Sequence, residues 1–257
     1  MDYTGFKKQI LSLTGIDLNA YKETQMKRRI DTIIRKNGCD GYQEYLSKIK
    51  TDKKLYEAFI NYLTINVSEF FRNPTQWTVL EQDIIPMLFK GKSSIKIWSA
   101  ACSTGDEPYS IAMVMSKILP LSQIKIMATD IDKEALKKAQ EGLYIDKSIA
   151  NVPKAFQDKY FTKKDRMYQI NDEIKKCVSF SQHNLLKDPY PNNVDLIVCR
   201  NVLIYFTEEA KNSIYNKFSK ALSKNGILFV GSTEQIIMSQ NYGLSPYKMF
   251  FYQKIDQ

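Results

Sequence analysis

Four short segments hold residues whose types and spacing could do chemistry. The first is SAACSTGDEPYS at 99–110, where Ala100, Ala101, Ser103 and Gly105 are small enough to let a ligand approach the backbone. Asp106, Glu107 and Pro108 then open a helix with an acidic first turn. Two acids at a helix N-terminus repel a phosphate that the helix dipole would otherwise attract, so the loop suits a cationic or amine-bearing ligand. The bland alternative is helix capping by the same acids. The second segment is ATDID, in which Asp130 closes a strand some 25 residues beyond Gly105, the place for an acid that accepts hydrogen bonds from both hydroxyls of a ribose. Asp132 reads as the N-cap of the helix that follows. There is no G-x-G-x-x-G, which weighs against a dinucleotide; the two segments together point to an adenosine-bearing ligand without a diphosphate. The third and fourth, HNLL and CRNVLIYF, put Asn184 and Asn201 where an amide could read a purine edge, with Leu185 and Val202 to flank its faces. Cap and turn roles are the competing readings for both asparagines.

Other chemistries are excluded by what is scarce. His183 is the single histidine, so a Ser-His-Asp triad could form only through it and a zinc site with two histidines cannot form. Cys39, Cys102, Cys177 and Cys199 contain no C-x-x-C pair and read as reduced thiols, so no metal is expected. GKS at 91–93 has the look of a P-loop, but that motif needs a glycine where Pro86 stands. DPYP at 188–191 precedes a strand and is misplaced for methylation of an exocyclic amine, and Cys199 lacks the preceding proline of a cytosine methyltransferase nucleophile. A fifth segment, TINVSEFFRNPTQW at 64–77, sets Arg72 beside Phe70 and Phe71 with Asn66 and Ser68 nearby. It reads either as a polar cluster anchored by buried aromatics or as a linker helix with a surface arginine.

The elements that must position these residues fall into two kinds. Residues 1–65 are helical in pattern: Met26, Ile30, Ile33 and Ile34 share one face, Arg28, Thr32, Arg35 and Lys36 the other, and Asn37-Gly38 supplies the stop. Further helices are expected in DGYQEYLSKIK and KKLYEAFINYLT. Beyond about residue 80, six apolar runs (94–100, 124–130, 177–184, 194–201, 226–232 and 249–255) alternate with helical patterns, which predicts a largely parallel sheet with an antiparallel edge at its end. The stretch from Tyr144 to Lys176 interrupts the alternation with two strand-like pieces, RMYQI and DEIKK. It reads as a small inserted subdomain or as an elaborated surface loop. The 257 residues amount to one large domain or a domain and a half. With 44% hydrophobic and 25% charged residues the chain can bury a core, and a net charge of +9 favours an acidic partner. The N-terminus has no secretory signal pattern, and no apolar run reaches the ~18 residues that span a bilayer; an intracellular protein is expected.

Taken in order, the linker TINVSEFFRN, the loop SAACSTGDEPYS, the strand end ATDID, then NLL and CRNVLIYF make the whole chain resemble the CheR family of chemotaxis receptor methyltransferases. The resemblance implies a class I, Rossmann-like methyltransferase fold: a mostly parallel seven-stranded sheet with an antiparallel edge, a helical domain at 1–65, a linker at 66–80 that contributes to the cofactor site, and a catalytic domain at 81–257 with a small inserted β subdomain at about 144–176. It implies methyl transfer from S-adenosylmethionine, with no metal, to glutamate side chains on the cytoplasmic helical domain of chemoreceptors. Carried over by position, Asn66, Ser68 and Arg72 contact the cofactor, Glu107 holds its amino group and Asp130 its ribose. Asn184, Leu185, Arg200 and Asn201 surround the adenine and neighbouring atoms, and Arg72 and Tyr205 act near the methyl transfer. Ile65 and Ser68 stand where the family often has threonine; Ser68 keeps the hydroxyl.

This chemistry agrees with the residues. A glutamate is already anionic at neutral pH, so it can attack a sulfonium methyl without a general base, and in-line orientation can supply roughly 7 to 11 kcal/mol. Arg28, Arg29, Arg35 and Lys36 become candidates for docking an acidic receptor helix. No glycine lies between Gly142 and Gly226, so the glycine-containing loop by which some family members grip a receptor-tail pentapeptide is absent, and weak or no tail dependence is expected. The protein is expected in the cytoplasm, recruited to receptor arrays, with no nucleic acid partner and no membrane insertion. The competing readings are an S-adenosylmethionine-dependent methyltransferase acting on RNA or a small molecule, and a non-catalytic S-adenosylmethionine-binding regulator.

Overall fold

The computed structural model describes residues 1–255. The chain forms two compact units, one of residues 1–66 with 203–213, the other of residues 67–202 with 214 onward.

The first unit is built on four helices, α1 (Tyr3–Thr14), α2 (Glu23–Lys36), α3 (Tyr42–Thr51) and α4 (Lys53–Thr64). Asp2 starts α1 by accepting from the N–H of Gly5, and Asp52 starts α4 by accepting from Lys54 and Leu55. Helix α2 buries the predicted stripe of Met26, Ile30, Ile33 and Ile34 and stops at Asn37 and the left-handed Gly38. Phe59 lies edge-on to both Phe6 and Tyr45 at the centre. Sequence periodicity gave no sign that 203–213 joins these helices. The join is made by the backbone of Tyr205, which accepts from Lys22 N–H, by Thr207 N–H, which donates to Ala20 O, and by the rings of Tyr21 and Phe206 at 4.8 Å.

The second unit carries a seven-stranded sheet in the order β6-β2-β1-β7-β8-β10-β9. Its strands are β1 (Ile97–Ala100), β2 (Ile126–Asp130), β6 (Val178–Gln182), β7 (Val194–Cys199), β8 (Leu222–Val230), β9 (Leu244–Lys248) and β10 (Phe251–Lys254). The first five run parallel, and β10 is antiparallel to both β8 and β9, the edge the sequence predicted. Strand β9 is the seventh that the resemblance implies, though no apolar run marks it: LSPYK buries only Leu244, and its proline sits at an edge where a lost N–H is harmless. Helices α7 (Asp106–Met115), α8 (Lys133–Glu141) and α12 (Glu208–Ala221) supply crossovers. Strand order reverses between β1 and β7, so the carboxyl ends of these strands flank the crevice where ligands bind in such sheets.

The insert after α8 is a three-stranded antiparallel sheet, β3-β5-β4, of β3 (Leu143–Ile145), β4 (Phe161–Lys164) and β5 (Met167–Ile170), with α9 (Asp146–Ile149) and α10 (Lys154–Tyr160) between β3 and β4. RMYQI becomes β5, but DEIKK is not a strand: Asp172–Lys175 is a helical turn, α11. Its acids stand in the first turn and Lys175 in the last, matching the helix dipole, and Ile174 alone is buried. Residues 66–73 are irregular, with Phe71 and Asn73 in the left-handed region, and α5 (Pro74–Val79) begins on Pro74. A π-helical turn (Leu80–Ile84) leads into α6 (Ile85–Phe89).

Candidate functional site

In the second unit three acids, Asp106 and Asp130 buried and Glu107 partly so, converge at the carboxyl ends of β1 and β2. The loop between β1 and α7 is held open by left-handed residues at Ala101, Ser103 and Gly105, a cost of about 1 kcal/mol or more at each non-glycine that persists only where neighbours enforce it. Here Cys102 N–H donates to Thr129 O, Ser103 N–H to Asp130 Oδ2 at 2.7 Å, and Tyr144 of β3 donates its hydroxyl to Thr104 O at 2.7 Å. The acids do not cap α7. Asp106 accepts from the Thr104 hydroxyl at 2.6 Å and Glu107 from the Ser99 hydroxyl at 2.8 Å, while Gly105 is the cap residue.

Burial pushes the Glu107 carboxyl up to about 7, although Arg200, Ser99 and Arg72 pull it down; Glu234 adds to the rise. Burial likewise pushes Asp106 up to about 6, against bonds that include one from Ser68, and Asp130 up to about 6, against bonds from the N–H groups of Asp132 and Ser103. Asp106 Oδ1 is buried without a hydrogen-bond partner. Burial outweighs the bonds and charges that hold these carboxylates down, so a cation brought among them would be stabilised. The thiols feel the same field. Burial raises Cys102 and Cys199, and the charges of Asp130 and Glu107 raise both further.

Asp132 caps α8 as predicted, accepting from Glu134 and Ala135. His183 N–H donates to Asp130 O, which sets Asn184 just past the end of β6. The Asn184 side-chain oxygen closes a turn onto Leu186 N–H at 2.9 Å, and Lys217 of α12 donates to the carbonyls of Leu185 and Leu186, at 3.3 and 2.7 Å. Asn201 follows β7 in the left-handed region.

Arg200 has a more specific place than its position suggests. One guanidinium nitrogen donates to Arg72 O at 2.8 Å, Asn73 Oδ1 at 3.2 Å and Gln76 Oε1 at 2.9 Å, tying the linker to the end of β7. Another lies 4.0 Å from Glu107, and the group stacks on Phe229. The linker is anchored on aromatics. Phe70 is fully buried, edge-on to Tyr144 and Phe161, with its N–H on Ser148 O; Phe71 donates its N–H to Ser110 Oγ. The Arg72 side chain bonds Val67 O at 3.3 Å.

Thus Ser68, Arg72, Glu107, Asp130, Asn184, Leu185, Arg200 and Asn201 all belong to the second unit. Asn66, Tyr205, Arg28, Arg29, Arg35 and Lys36 belong to the first. There, a cleft of about 260 Å³ is lined by Tyr21, Lys22, Gln25, Met26, Arg28, Arg29, Ile65 and Tyr205. Arg28, Arg35 and Lys36 are exposed, whereas Arg29 turns inward, bonding Tyr62 O and lying over the Tyr62 ring. Asn66 bonds the Thr64 hydroxyl. Sequence reasoning missed Glu234, a buried acid on the loop after β8, and Ser99, whose hydroxyl orients Glu107. Neither carries a motif signal, although Ser99 lies within the first loop. The GKS run has a structural use: Lys92 pairs with Asp195 at 2.5 Å. Among the described residues no group of three or more His, Cys, Asp or Glu could hold a metal, and no helix is long and apolar enough to cross a membrane.

A doubly wound sheet with acids at the switch point is the architecture of an S-adenosylmethionine-dependent methyltransferase, and the comparisons give the same class. Residues 66–249 match the family described as CheR methyltransferase, SAM binding domain, and residues 1–64 match CheR methyltransferase, all-alpha domain. The chain belongs to the CheR methyltransferase family. Its relatives include a chemotaxis protein methyltransferase of Listeria innocua, 42% identical over 98% of this chain and 97% of the relative. Proteins of the same name from Borreliella burgdorferi and Escherichia coli are 35% and 32% identical, each over 88% of this chain and over 85% and 81% of their own lengths.

Proposed function

We propose that this enzyme methylates glutamate side chains on the cytoplasmic helical domain of chemoreceptors, forming glutamyl methyl esters in chemotactic adaptation. The observation that carries the substrate class is the cleft of the first unit, where Lys22 and Arg28 stand exposed in the lining that also holds Tyr205: such a surface attracts a carboxylate on an acidic helix. The names of the relatives support the same substrate.

S-adenosylmethionine supplies a methyl group made electrophilic by its sulfonium. The acids of the second unit suit its positive charge: Glu107 holds the amino group, Asp130 the ribose hydroxyls, and Ser68, Arg72, Asn184, Leu185, Arg200 and Asn201, with Asn66, complete the set. The glutamyl carboxylate attacks as an anion, so no residue needs to remove a proton. Arg72 places that carboxylate by a charge-assisted hydrogen bond, and Tyr205 narrows the pocket. Residues 1–65 act as the docking part, 66–80 as a linker that contributes to the cofactor site, and 81–257 as the catalytic part. The turn between β4 and β5 is made by Asp165 at φ +54 and contains no glycine, in keeping with weak or absent dependence on a receptor-tail peptide. The protein works in the cytoplasm at receptor arrays.

Incubation with methyl-labelled S-adenosylmethionine and receptor-rich membranes tests the reading. Base-labile label released as methanol from receptor is expected. Stable label on RNA or on a small molecule, or binding without transfer, would overturn it.

A further inference from the structure

The loops after β7 and β8 are joined by one side chain. Glu234 is 5% exposed, and its Oε2 accepts from the backbone N–H of Asn201 at 2.5 Å and of Gly231 at 2.9 Å. Asn201 sits at φ +61, in the left-handed region that asparagine enters more readily than other residues with side chains. A carbon in the Cβ position of Gly231 would stand 2.5 Å from Glu234 Oε2 and 2.9 Å from Asn201 N. Glycine at 231 is therefore what allows one oxygen to reach both N–H groups. The same carboxylate acts electrostatically on Glu107 and on Arg200, the residue that ties down the linker.

We propose that Glu234 is a positioning residue of the cofactor site: one carboxylate oxygen fixes the Asn201 turn, and the same group acts on both Arg200 and Glu107. The inference rests on the reading that Asn201 and Glu107 hold S-adenosylmethionine. It adds a residue that touches neither cofactor nor substrate.

Because both bonds end on a single oxygen, Glu234→Gln can keep them through its amide oxygen, whereas Glu234→Ala keeps neither. Calorimetric binding of S-adenosylhomocysteine is measured on the full chain beside thermal unfolding and methyl transfer at saturating cofactor. The expected result is at least tenfold weaker binding for Glu234→Ala and no more than threefold for Glu234→Gln, with the loss in KM for the cofactor and kcat largely kept. Wild-type affinity in Glu234→Ala, or equal losses in the two variants, would overturn the proposal. Glu107→Gln and Asn201→Ala serve as references. If they too bind normally, the assignment of the cofactor site fails and this inference falls with it; if they weaken binding while Glu234→Ala does not, this inference alone falls. Glu234→Gln also decides the matter should the alanine variant not fold. Loss of a negative charge that raises Glu107 must move the Glu107-dependent limb of the binding profile to lower pH, and an unmoved limb would refute the charge role.

Discussion

Glu107→Gln removes a carboxyl that burial keeps partly protonated, and on the proposed reading, in which Glu107 holds the amino group of the cofactor, the effect of the change should grow with pH. In the free protein burial holds the Glu107 carboxyl up to about 7. Holding an ammonium group requires the anion, so binding must draw off whatever proton remains. With a midpoint near 7, about one-tenth of the molecules carry the anion at pH 6 and about one-half at pH 7. Affinity should therefore rise about fivefold across that unit, ~1 kcal/mol, from this group alone. Asp130, held up to about 6, passes from about one-half to nine-tenths ionised and adds about a factor of two. Calorimetry with S-adenosylhomocysteine at pH 6 and 7, repeated in buffers of different ionisation enthalpy, reads both the affinity and the proton released. The wild type should improve about tenfold and Glu107→Gln only about twofold. The linked stability has the opposite sign. A carboxyl raised on folding favours the folded state below its unfolded pKa, and that contribution is lost as pH climbs from about 4.5 toward 7. The ligand-free protein should lose the part owed to Glu107 over that window, and the glutamine variant should not. Equal pH slopes of affinity in the two proteins would refute the reasoning.

Other perturbations separate the remaining roles. Arg72→Lys keeps the charge but loses the planar fork, so kcat should fall at least tenfold with cofactor affinity within threefold; a full kcat in steady-state assays would remove the positioning role. Charge reversal at Arg28 and Arg35, both exposed, should raise KM for receptor with S-adenosylmethionine affinity unchanged. Arg29→Ala should instead lower the melting temperature, because its guanidinium is spent on Tyr62, and receptor KM should move less than for Arg28. Lys217→Met removes the donor to the carbonyls of Leu185 and Leu186; hydrogen exchange at 183–190 should quicken and nucleoside binding weaken, and an unchanged exchange rate would show that the loop holds itself. Phe70→Ala empties a fully buried ring site between the linker and the insert and should cost about 3 to 5 kcal/mol by denaturant unfolding.

What could be read from the sequence was whatever local spacing encodes. Glu107 and Asp130 stood out because a strand end followed by small residues and an acid is a short-range pattern, and the stripe of α2 because its period is 3.6. The insert was visible as a break in alternation, yet DEIKK deceived: one apolar residue among charges looks the same in a short strand and in a helical turn, and only the ends of the turn sort Asp172 from Lys175. Strand β9 escaped because an edge strand need not be apolar. Long-range partners were invisible. Arg200 gave no sign that it would bind the backbone of Arg72, 128 residues away, and nothing near Glu234 marks it as the acceptor for Asn201.

The path of the chain bears on how this enzyme can be taken apart. Residues 203–213 lie far along the polypeptide yet belong with the opening helices, sharing backbone bonds at Ala20 and Lys22 and a ring contact at Tyr21. A cut after residue 66 would therefore leave an amputated fragment on each side, one deprived of the strip that completes it and the other trailing a segment without its bed. Grafting the opening helices of one relative onto the sheet of another faces the same obstacle. A chimera should fold well only when residues 203–213 travel with the helices they serve.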